Sequence, residues 1–303
     1  MRRRGARTKI KSLSLSGGGE GEGHYSAAAE ARDLGNKMLC ISVSRHQSVE
    51  NMDRSSRFSY LCNQCGRCCH DQVITLSPYD VIRLARVAGV STREAIGRYT
   101  IRRGSILKFD ENGSCAALDG ATCTVHAGRP LACRLYPLGL DHDRRGAERY
   151  RRLEPAAGSR GIYGDDGTAQ DFLAAQGAQL YLRTNRRYTS LLGIFRQRIS
   201  ELNDLEIVER REFWRVAVRD ALAEANFDFN PIIEALFDPD SLGCQAESEM
   251  DFIEQHVKAI EQLIRSETDP SLLATAAVML AVSLGFLPNE VMTGCTSWRR
   301  SPE

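Results

Sequence analysis

The strongest constraint on the fold of this chain is a segment that holds seven of its ten cysteines. They are Cys62, Cys65, Cys68, Cys69, Cys115, Cys123 and Cys133. The first four form a C-x2-C-x2-C-C run, in which each C-x2-C unit can direct two sulfur atoms at one centre with little chain strain. Gly66 allows the backbone to turn tightly between them. The spacing therefore predicts a metal site that combines one loop with sulfur ligands from later in the chain.

The start of the chain favours metal binding over disulfide bonds. Met1 is followed by three arginines, but no apolar stretch and small-residue cleavage site follow, as a secretory signal would require. A transit peptide is the exception to weigh, and Glu20 and Glu22 fit one poorly. The expected location is therefore cytoplasmic, where clustered cysteines more often bind metal or carry out redox chemistry than form disulfides.

Two kinds of metal centre compete for this cluster. The C-x2-C-x2-C spacing resembles the run whose sulfurs hold iron–sulfur cubanes in bacterial ferredoxins. A structural zinc ion takes only four Cys or His ligands, and the adjacent Cys68 and Cys69 would chelate one small ion awkwardly. We therefore expect an iron–sulfur cluster, 4Fe-4S in type, with zinc as the alternative and disulfides as a third outcome. His70 and His126 stand near the site as optional ligands, and the bystanders are Cys40, Cys244 and Cys295.

Three arginines lie within a few residues of the ligand candidates, namely Arg67, Arg129 and Arg134. A cubane with four thiolates carries net negative charge, and cationic neighbours lower thiol pKa values and favour the thiolate. These arginines are therefore predicted to bind the cofactor, the alternative being that they are solvated surface charges. No Ser-His-Asp set or carboxylate pair can be singled out as catalytic machinery.

The chain divides into three predicted parts. Residues 1–51 are rich in glycine, locally basic and without a periodic apolar face, so they are predicted to be a disordered extension or a misassigned start before Met52. Residues 52–150 are predicted to form the cysteine-cluster domain and residues 151–303 a helical region. The predicted fold class is α+β, mainly α: a small cysteine-rich metal-binding domain with a short β-hairpin, followed by helices.

Capping residues and apolar periodicity place the individual elements. Ser77-Pro78 predicts a helix that ends at Gly89, and Ser91 predicts a second helix through Tyr99. Short strands are predicted at 106–109, 114–118 and 123–125, a one-turn or irregular segment at 129–137, and a polar loop at 141–168. Helices are predicted near 169–183, 186–201, 205–224, 229–237, 248–266 and 270–285.

Charge and hydropathy argue against two classes of partner. The net charge of +1 does not support nucleic-acid binding over the whole chain. The uncharged stretch Leu272–Leu287 has 16 residues and stops at Pro288, whereas a membrane-spanning helix needs about 20. We therefore expect a buried core helix, no nucleic acid and no membrane, and leave open an unidentified protein partner.

Four pieces of sequence together resemble one known family. They are the run Cys62–Cys69, Gly113-Ser114-Cys115, Cys123 before Arg129-Pro130, and Cys133-Arg134-Leu135-Tyr136-Pro137. This combination, over about residues 58–140, resembles the YkgJ-type cysteine-cluster family, a zinc- or iron-chelating domain. Many members of that family carry a further Cys-containing stretch downstream, where this chain has Ser159–Tyr163 without a cysteine.

The resemblance implies metal binding without a settled activity. The predicted function is a cytosolic metal-binding protein that carries an iron–sulfur cluster and has a redox, metal-handling or accessory role. Some relatives look like flagellin lysine N-methylases, so a protein-lysine-modifying enzyme is one alternative, although no glycine-rich nucleotide loop supports it. A zinc-stabilised interaction module is the other.

Overall fold

The computed structural model describes residues 52–142, 148–203, 211–222 and 231–286. Its strands are β1 (Arg57–Leu61), β2 (Thr100–Ile101), β3 (Ile106–Leu107), β4 (Leu118–Asp119), β5 (Thr122–Cys123), β6 (Leu138–His142), β7 (Glu148–Arg152) and β8 (Ile162–Thr168). Its α-helices are α1 (Pro78–Ala88), α2 (Thr92–Tyr99), α3 (Leu131–Leu135), α4 (Ala169–Ala175), α5 (Ala178–Leu202), α6 (Arg211–Leu222), α7 (Pro231–Phe237), α8 (Glu249–Ser266) and α9 (Pro270–Ser283). One-turn 3₁₀ helices lie at Arg67–Cys69, Arg102–Gly104, His126–Gly128 and Pro239–Leu242. The predicted α+β, mainly α class is confirmed.

The described strands form separate antiparallel pairs, β1 with β8, β2 with β3, β4 with β5 and β6 with β7. The β1–β8 pair joins chain segments far apart in sequence and places Leu61 opposite Ile162. A backbone pair between Met52 and Tyr150, with N–H to oxygen distances of 2.9 and 2.8 Å, continues this link at the start of the described chain. The β1–β8 pair and the Met52–Tyr150 pair therefore tie the segment before the cysteine loop to residues 148–168.

Helix α1 forms where its capping residues predict it. The Ser77 hydroxyl accepts a hydrogen bond from the Asp80 backbone N–H, and the Asp80 carboxylate accepts one from the Ser77 N–H. Such a reciprocal pair satisfies two backbone donors that a helix start otherwise leaves without partners. Gly89, with φ of 67°, ends the helix in the left-handed conformation.

Within the described ranges, the C-terminal helices follow the predicted pattern with one exception; parts of the predicted helices at 205–224 and 229–237 lie outside those ranges. The break predicted between 183 and 186 is wrong, because α5 runs without interruption from Ala178 to Leu202. The chain turns instead at Gly177, whose φ of 63° separates α4 from α5. The apolar periodicity of the sequence continues across the boundary between α4 and α5. Gly177 is therefore the sequence signal for that boundary.

Helix α9 lies at the centre of the helical region. Every residue from Leu273 to Ser283 is buried, and the helix packs against α5 and α6. The predicted buried core helix is therefore confirmed, since a helix that is apolar on all sides needs neighbours all round. In the ranges that the structure describes, no helix combines the length and the apolarity needed to cross a membrane.

Two predicted segments differ from the structure. Residues 141–168, predicted as a loop, contain the end of β6 and all of β7 and β8. These strands lack an apolar run because each belongs to a two-stranded pair, and in β7 Tyr150 alone is buried. The predicted strand at 114–118 is also wrong: Cys115 makes a single bridge to Phe109, and the backbone then turns so that Leu118 N–H donates to the Cys115 carbonyl at 2.9 Å.

Buried side chains of the cysteine-rich part and of the helical part form one continuous cluster. Phe58 on β1 packs edge-on against Phe172 on α4, with ring centroids 5.0 Å apart. Tyr79 on α1 packs in the same way against Tyr181 on α5 at 4.8 Å. The predicted boundary near residue 150 stays a prediction, and the described parts on its two sides share an apolar core.

Candidate metal centre

The loop that carries the first four cysteines is shaped by Gly66. This residue has φ of 70° and precedes the 3₁₀ turn Arg67–Cys69, in which Cys69 N–H donates to the Gly66 carbonyl at 3.0 Å. A Cβ at Gly66 would lie 3.5 Å from Ala121 in the β4–β5 turn. The tight turn therefore brings the cysteine loop against the hairpin that carries Cys123.

The same loop is held to the segment around Cys115 by backbone hydrogen bonds. Asp71 N–H donates to the Gly113 carbonyl at 2.8 Å, and Cys115 N–H donates to the Cys69 carbonyl at 2.9 Å. Cys115 is 8% exposed, and its sulfur accepts a hydrogen bond from Ala117 N–H at 3.5 Å. These contacts bring the backbone of the cysteine loop alongside Cys115.

Cys133 reaches the site from the short helix α3. Pro130 precedes this helix, and the Leu131 N–H donates to the carboxylate of Asp80 at 2.7 Å. Asp80 is 2% exposed, so one buried carboxylate fixes the starts of both α1 and α3. Sequence reasoning did not single out Asp80; the capping-box position three residues after Ser77 could have marked it as structural.

Five cysteines of this region each interact electrostatically with at least three of the others. They are Cys68, Cys69, Cys115, Cys123 and Cys133, which we call the inner cluster. A hydrogen bond from the Cys69 thiol lowers the pKa of Cys68 to about 7, and the same contact raises the pKa of Cys69. Burial, followed by the charges of Cys115, Cys68 and Cys123, raises the pKa of Cys133. The inner cluster thus gathers sulfurs from the loop, the hairpin region and α3.

The donor set of the inner cluster fits a thiophilic metal. All the described cysteines are free thiols. No three His, Cys, Asp or Glu side chains in the described ranges converge closely enough to hold a metal ion as they stand. A metal bound here would require these sulfurs to come closer together, and its binding free energy would then contribute to the stability of the fold.

Cys62 and Cys65 form an outer pair at the rim of the loop. Cys62 is exposed and follows directly after β1. Hydrogen bonds from the backbone of Arg160 and Arg67, together with the Ser159 hydroxyl, lower the pKa of Cys65. The stretch Ser159–Tyr163, for which the family resemblance suggested an additional cysteine, thus lies against the cysteine loop. Sequence reasoning did not predict this contact.

Of the three predicted cofactor-binding arginines, Arg129 carries a charge that acts on sulfurs of the inner cluster. The Arg129 guanidinium lies in electrostatic range of Cys133, Cys123 and Cys62, and donates to the Gln176 side chain at 2.6 Å. Burial raises the pKa of Cys123, and the charge of Arg129 opposes that shift. The Arg129 guanidinium can therefore balance thiolate charge at Cys123 and Cys133.

The other two arginines point elsewhere. The buried Arg134 donates to the backbone carbonyls of Arg129, Gln176 and Ala127 at 3.0, 2.8 and 2.6 Å, and its guanidinium stacks over Tyr181. It therefore fixes the backbone around α3. Arg67 is exposed, and its side chain runs beside Gly158. A cofactor-binding role for these three arginines stays a prediction.

The remaining candidates lie at the edge of the site or outside it. His70 Nδ1 is 3.1 Å from the Gly66 carbonyl, and the exposed His126 contacts Arg129. Cys244 lies just after the 3₁₀ turn Pro239–Leu242, where burial and the charge of Asp240 raise its pKa. Cys40 and Cys295 are outside the described residues.

A C-x2-C-x2-C-C loop held against a hairpin and a short helix, with its thiols free, defines a cysteine-cluster module for a thiophilic metal. Residues 61–152 match the model of the CxxCxxCC family, described as a "putative zinc- or iron-chelating domain". The match confirms the predicted family resemblance and supports a metal-binding role with zinc or iron. It ends before β8, so the helical region lies beyond it. No curated protein and no solved structure gives a significant match to the chain.

Proposed function

We propose that this protein is a cytosolic iron–sulfur protein with a redox, metal-handling or accessory role. The inner cluster would hold the cofactor. The observation that carries the proposal is the backbone hydrogen bond from Cys115 N–H to the Cys69 carbonyl at 2.9 Å, which joins two of the three chain segments whose five free thiols interact electrostatically. A single structural zinc ion uses four ligands, so this set exceeds the need of one zinc site.

The surroundings of the inner cluster suit an anionic centre. Arg129 places a cation within range of Cys123 and Cys133. Cys115 is buried, and the other four inner cysteines are only partly exposed, so solvent access to bound metal would be limited. A cluster bound here would supply electron transfer, with a potential set by burial and by hydrogen bonds to its sulfurs.

The chain's own residues would position and shield the cofactor. Asp80 fixes the backbone that presents Cys133, because it accepts the hydrogen bond from Leu131 N–H. Arg134 fixes the same backbone through its contacts with Arg129 and Ala127. The site is thus supported by a buried polar network, as metal ligands in proteins generally are.

The test is anaerobic purification after expression with ample iron, followed by metal analysis, sulfide assay and a visible spectrum. We expect a brown protein that contains iron and acid-labile sulfide. Stoichiometric zinc without sulfide would overturn the iron–sulfur assignment and favour a zinc-stabilised module. Protein that binds neither iron nor zinc after anaerobic reconstitution would overturn metal binding itself.

A further inference from the structure

Two exposed apolar side chains lie side by side on the β1–β8 pair. Leu61 and Ile162 are cross-strand neighbours, and they are 60% and 58% exposed. The described ranges expose one further large apolar side chain, Val216 on α6, which stands by itself and is 37% exposed. Single apolar side chains are ordinary on protein surfaces. The adjacent pair is therefore the feature that distinguishes this face of the molecule.

The face that carries Leu61 and Ile162 is turned away from the core. Side chains alternate along a strand, so Leu61 points to the side opposite the buried Phe58. Next to the apolar pair, Ser59 lies opposite Gly164. This face of the β1–β8 pair is therefore shallow beside two projecting aliphatic side chains.

Close contacts fix the backbone that forms this face. The Asn63 amide donates to the Arg160 carbonyl at 2.6 Å, which fastens the cysteine loop to the stretch before β8. A Cβ at Gly161 would lie 1.8 Å from the Tyr60 hydroxyl, so the two segments pack closely. A partner would therefore meet a preformed surface and would spend little free energy on ordering it.

The segments that border the apolar pair are cationic. Arg160 lies two residues before Ile162, and the Arg67 Nε atom is 3.5 Å from the position of a Cβ at Gly158. Both arginines are exposed, and residues 58–70 and 155–164 contain no Asp or Glu. In the described ranges, neither arginine has a carboxylate partner.

Carboxylates return at the other end of the strand pair. Asp165 pairs with Arg152 at 3.5 Å, and Asp166 N–H donates to the Ser59 hydroxyl at 3.2 Å. Arg57 also lies at that end, opposite Thr168. The excess of positive charge is therefore confined to the end of the face beside the cysteine loop.

We propose that this end of the face, defined by Leu61, Ile162, Arg67 and Arg160, is a docking surface for an acidic partner protein. The partner presents an aliphatic side chain between carboxylates. Guanidinium groups bind carboxylates through paired hydrogen bonds, and the two aliphatic side chains supply the apolar centre of a contact with a polar rim. The inference goes beyond the proposed function, because it stands whether the neighbouring centre holds iron or zinc.

Two other occupants fit the face less well. A second copy of the chain docked through the same face would bring like charges together, which disfavours association. A lipid surface would attract the arginines, but segments that bury in a bilayer interface present a longer apolar face than two side chains. Charge complementarity therefore favours an acidic protein.

The test measures binding of the full-length protein to a fluorescein-labelled synthetic peptide in which Glu alternates with Leu. Fluorescence anisotropy should show binding that weakens as salt is added, because salt screens the attraction between exposed charges. The same peptide with Lys in place of Glu should not bind. Hydrogen exchange on the wild-type protein should place the protected backbone around Leu61 and Ile162.

Four variants locate the contact. Arg160→Glu reverses a charge and should weaken binding at least about tenfold, since like charges across an interface repel. Ile162→Ser removes a buried apolar contact and should weaken binding about tenfold. Arg57→Glu, at the other end of the strand pair, and Val216→Ser, on α6, are the matched controls and should bind as the wild type does.

Several outcomes would overturn the docking surface. They are failure of the acidic peptide to bind, equal binding of the Lys peptide, and binding that Arg160→Glu and Ile162→Ser leave unchanged. Cosedimentation with vesicles of phosphatidylcholine and phosphatidylglycerol, lost in Arg160→Glu while the peptide does not bind, would assign the face to lipid. A dimer in light scattering that Ile162→Ser dissociates, again without peptide binding, would assign it to a second copy. Metal and sulfide content are measured separately, so none of these outcomes bears on the proposed iron–sulfur function.

Discussion

Cys133 interacts electrostatically with sulfurs from the other two segments of the inner cluster. Its pKa is raised by burial and by the charges of Cys115, Cys68 and Cys123, which places it within range of both the loop and the hairpin region. Helix α3 holds it there, anchored by the contact between Leu131 and Asp80. A change at this residue therefore removes a donor that the rest of the site cannot easily replace.

We predict that Cys133→Ser lowers the affinity for metal by at least about tenfold and so lowers the metal bound per chain. Because metal binding contributes to folding, the variant should also destabilise residues 58–140. The measurement is metal per chain, with hydrogen exchange to locate the loss of stability. Cys244→Ser is the control and should keep full metal content; the same is expected of Cys295→Ser. Full metal occupancy in Cys133→Ser would show that Cys133 is not a metal ligand.

Gly66 allows a second test at the residue scale. Gly66→Ala places a side chain at φ of 70°, which disfavours the fold by about 1–2 kcal/mol. Gly89→Ala imposes the same strain at φ of 67°, at the end of α1, with nothing within 4 Å of the new Cβ. Both variants should melt lower, but only Gly66→Ala should lose metal, because only Gly66 shapes the cysteine loop. Equal metal content in the two variants would show that the turn at Gly66 is not needed for metal binding.

At the scale of elements, His256 joins three helices. Its side chain on α8 is fully buried, with Nε2 2.7 Å from the Ala235 carbonyl on α7 and Nδ1 2.7 Å from the Tyr188 hydroxyl on α5. The neutral ring satisfies both contacts, since Nε2–H donates to the carbonyl and Nδ1 accepts from the hydroxyl. Burial lowers the pKa of His256 to about 4, although the Ala235 contact and the charges of Asp238 and Asp240 oppose this.

This histidine predicts a loss of stability in mild acid. Between its usual pKa of 6.5 and the folded value of about 4, the unfolded chain takes up a proton that the folded chain excludes. Each pH unit in that window therefore lowers the free energy of unfolding by about 1.4 kcal/mol, or about 2 kcal/mol from pH 6.5 to pH 5. His256→Gln should remove this part of the pH dependence, as measured by urea unfolding at several pH values.

The control for His256→Gln is Tyr188→Phe. That variant removes the hydroxyl partner but keeps the buried, titrating ring. It should lower stability at all pH values and retain the slope between pH 6.5 and pH 5. An unchanged slope in His256→Gln would mean that other groups cause the loss of stability in acid.

The elements that could be predicted are those whose signals are local. Ser77 and Gly89 bound α1, and the uniformly apolar stretch from Leu272 gives the buried α9. The β1–β8 pair could not be predicted, because it joins distant segments and its facing residues Leu61 and Ile162 are exposed. Its stability comes from tertiary context, which no short window of sequence contains.

The candidate site likewise has features that local sequence predicts and features that it does not. The C-x2-C-x2-C-C spacing predicts the loop and its metal chemistry from local sequence alone. The contact of Asp80 with α3, and the position of Ser159 against Cys65, depend on how distant segments pack. The role of Arg134 also depends on packing between distant segments. Its place next to Cys133 in the sequence suggests that it balances thiolate charge, but its side chain donates to backbone carbonyls.

At the scale of the whole molecule, the first described residues connect the two halves. Met52 is 4% exposed and its backbone pairs with Tyr150. The Arg54 guanidinium contacts the Glu148 carboxylate at 2.6 Å, and Glu148 also pairs with Arg186 on α5 at 3.2 Å. Burial opposes ionisation of Glu148, but hydrogen bonds from Tyr150 and Arg54 lower its pKa overall. Residues 52–56 thus belong to the packed structure.

The boundary between dispensable and required chain is therefore predicted to fall at Met52. Residues 1–51 lack a periodic apolar face, so a chain that begins at Met52 should keep the wild-type metal content and melting temperature. A chain with a methionine placed directly before Arg57 loses the Met52–Tyr150 pair and the Arg54–Glu148 contact. Removal of one large buried apolar side chain disfavours the fold by about 2–5 kcal/mol, so this shorter chain should melt at least about 5 °C lower.

Calorimetry and metal analysis of both chains provide the test. Loss of metal or stability in the Met52 chain would show that residues before Met52 pack on the protein, whereas an unchanged melting temperature in the shorter chain would show that residues 52–56 contribute little to holding β1 in place.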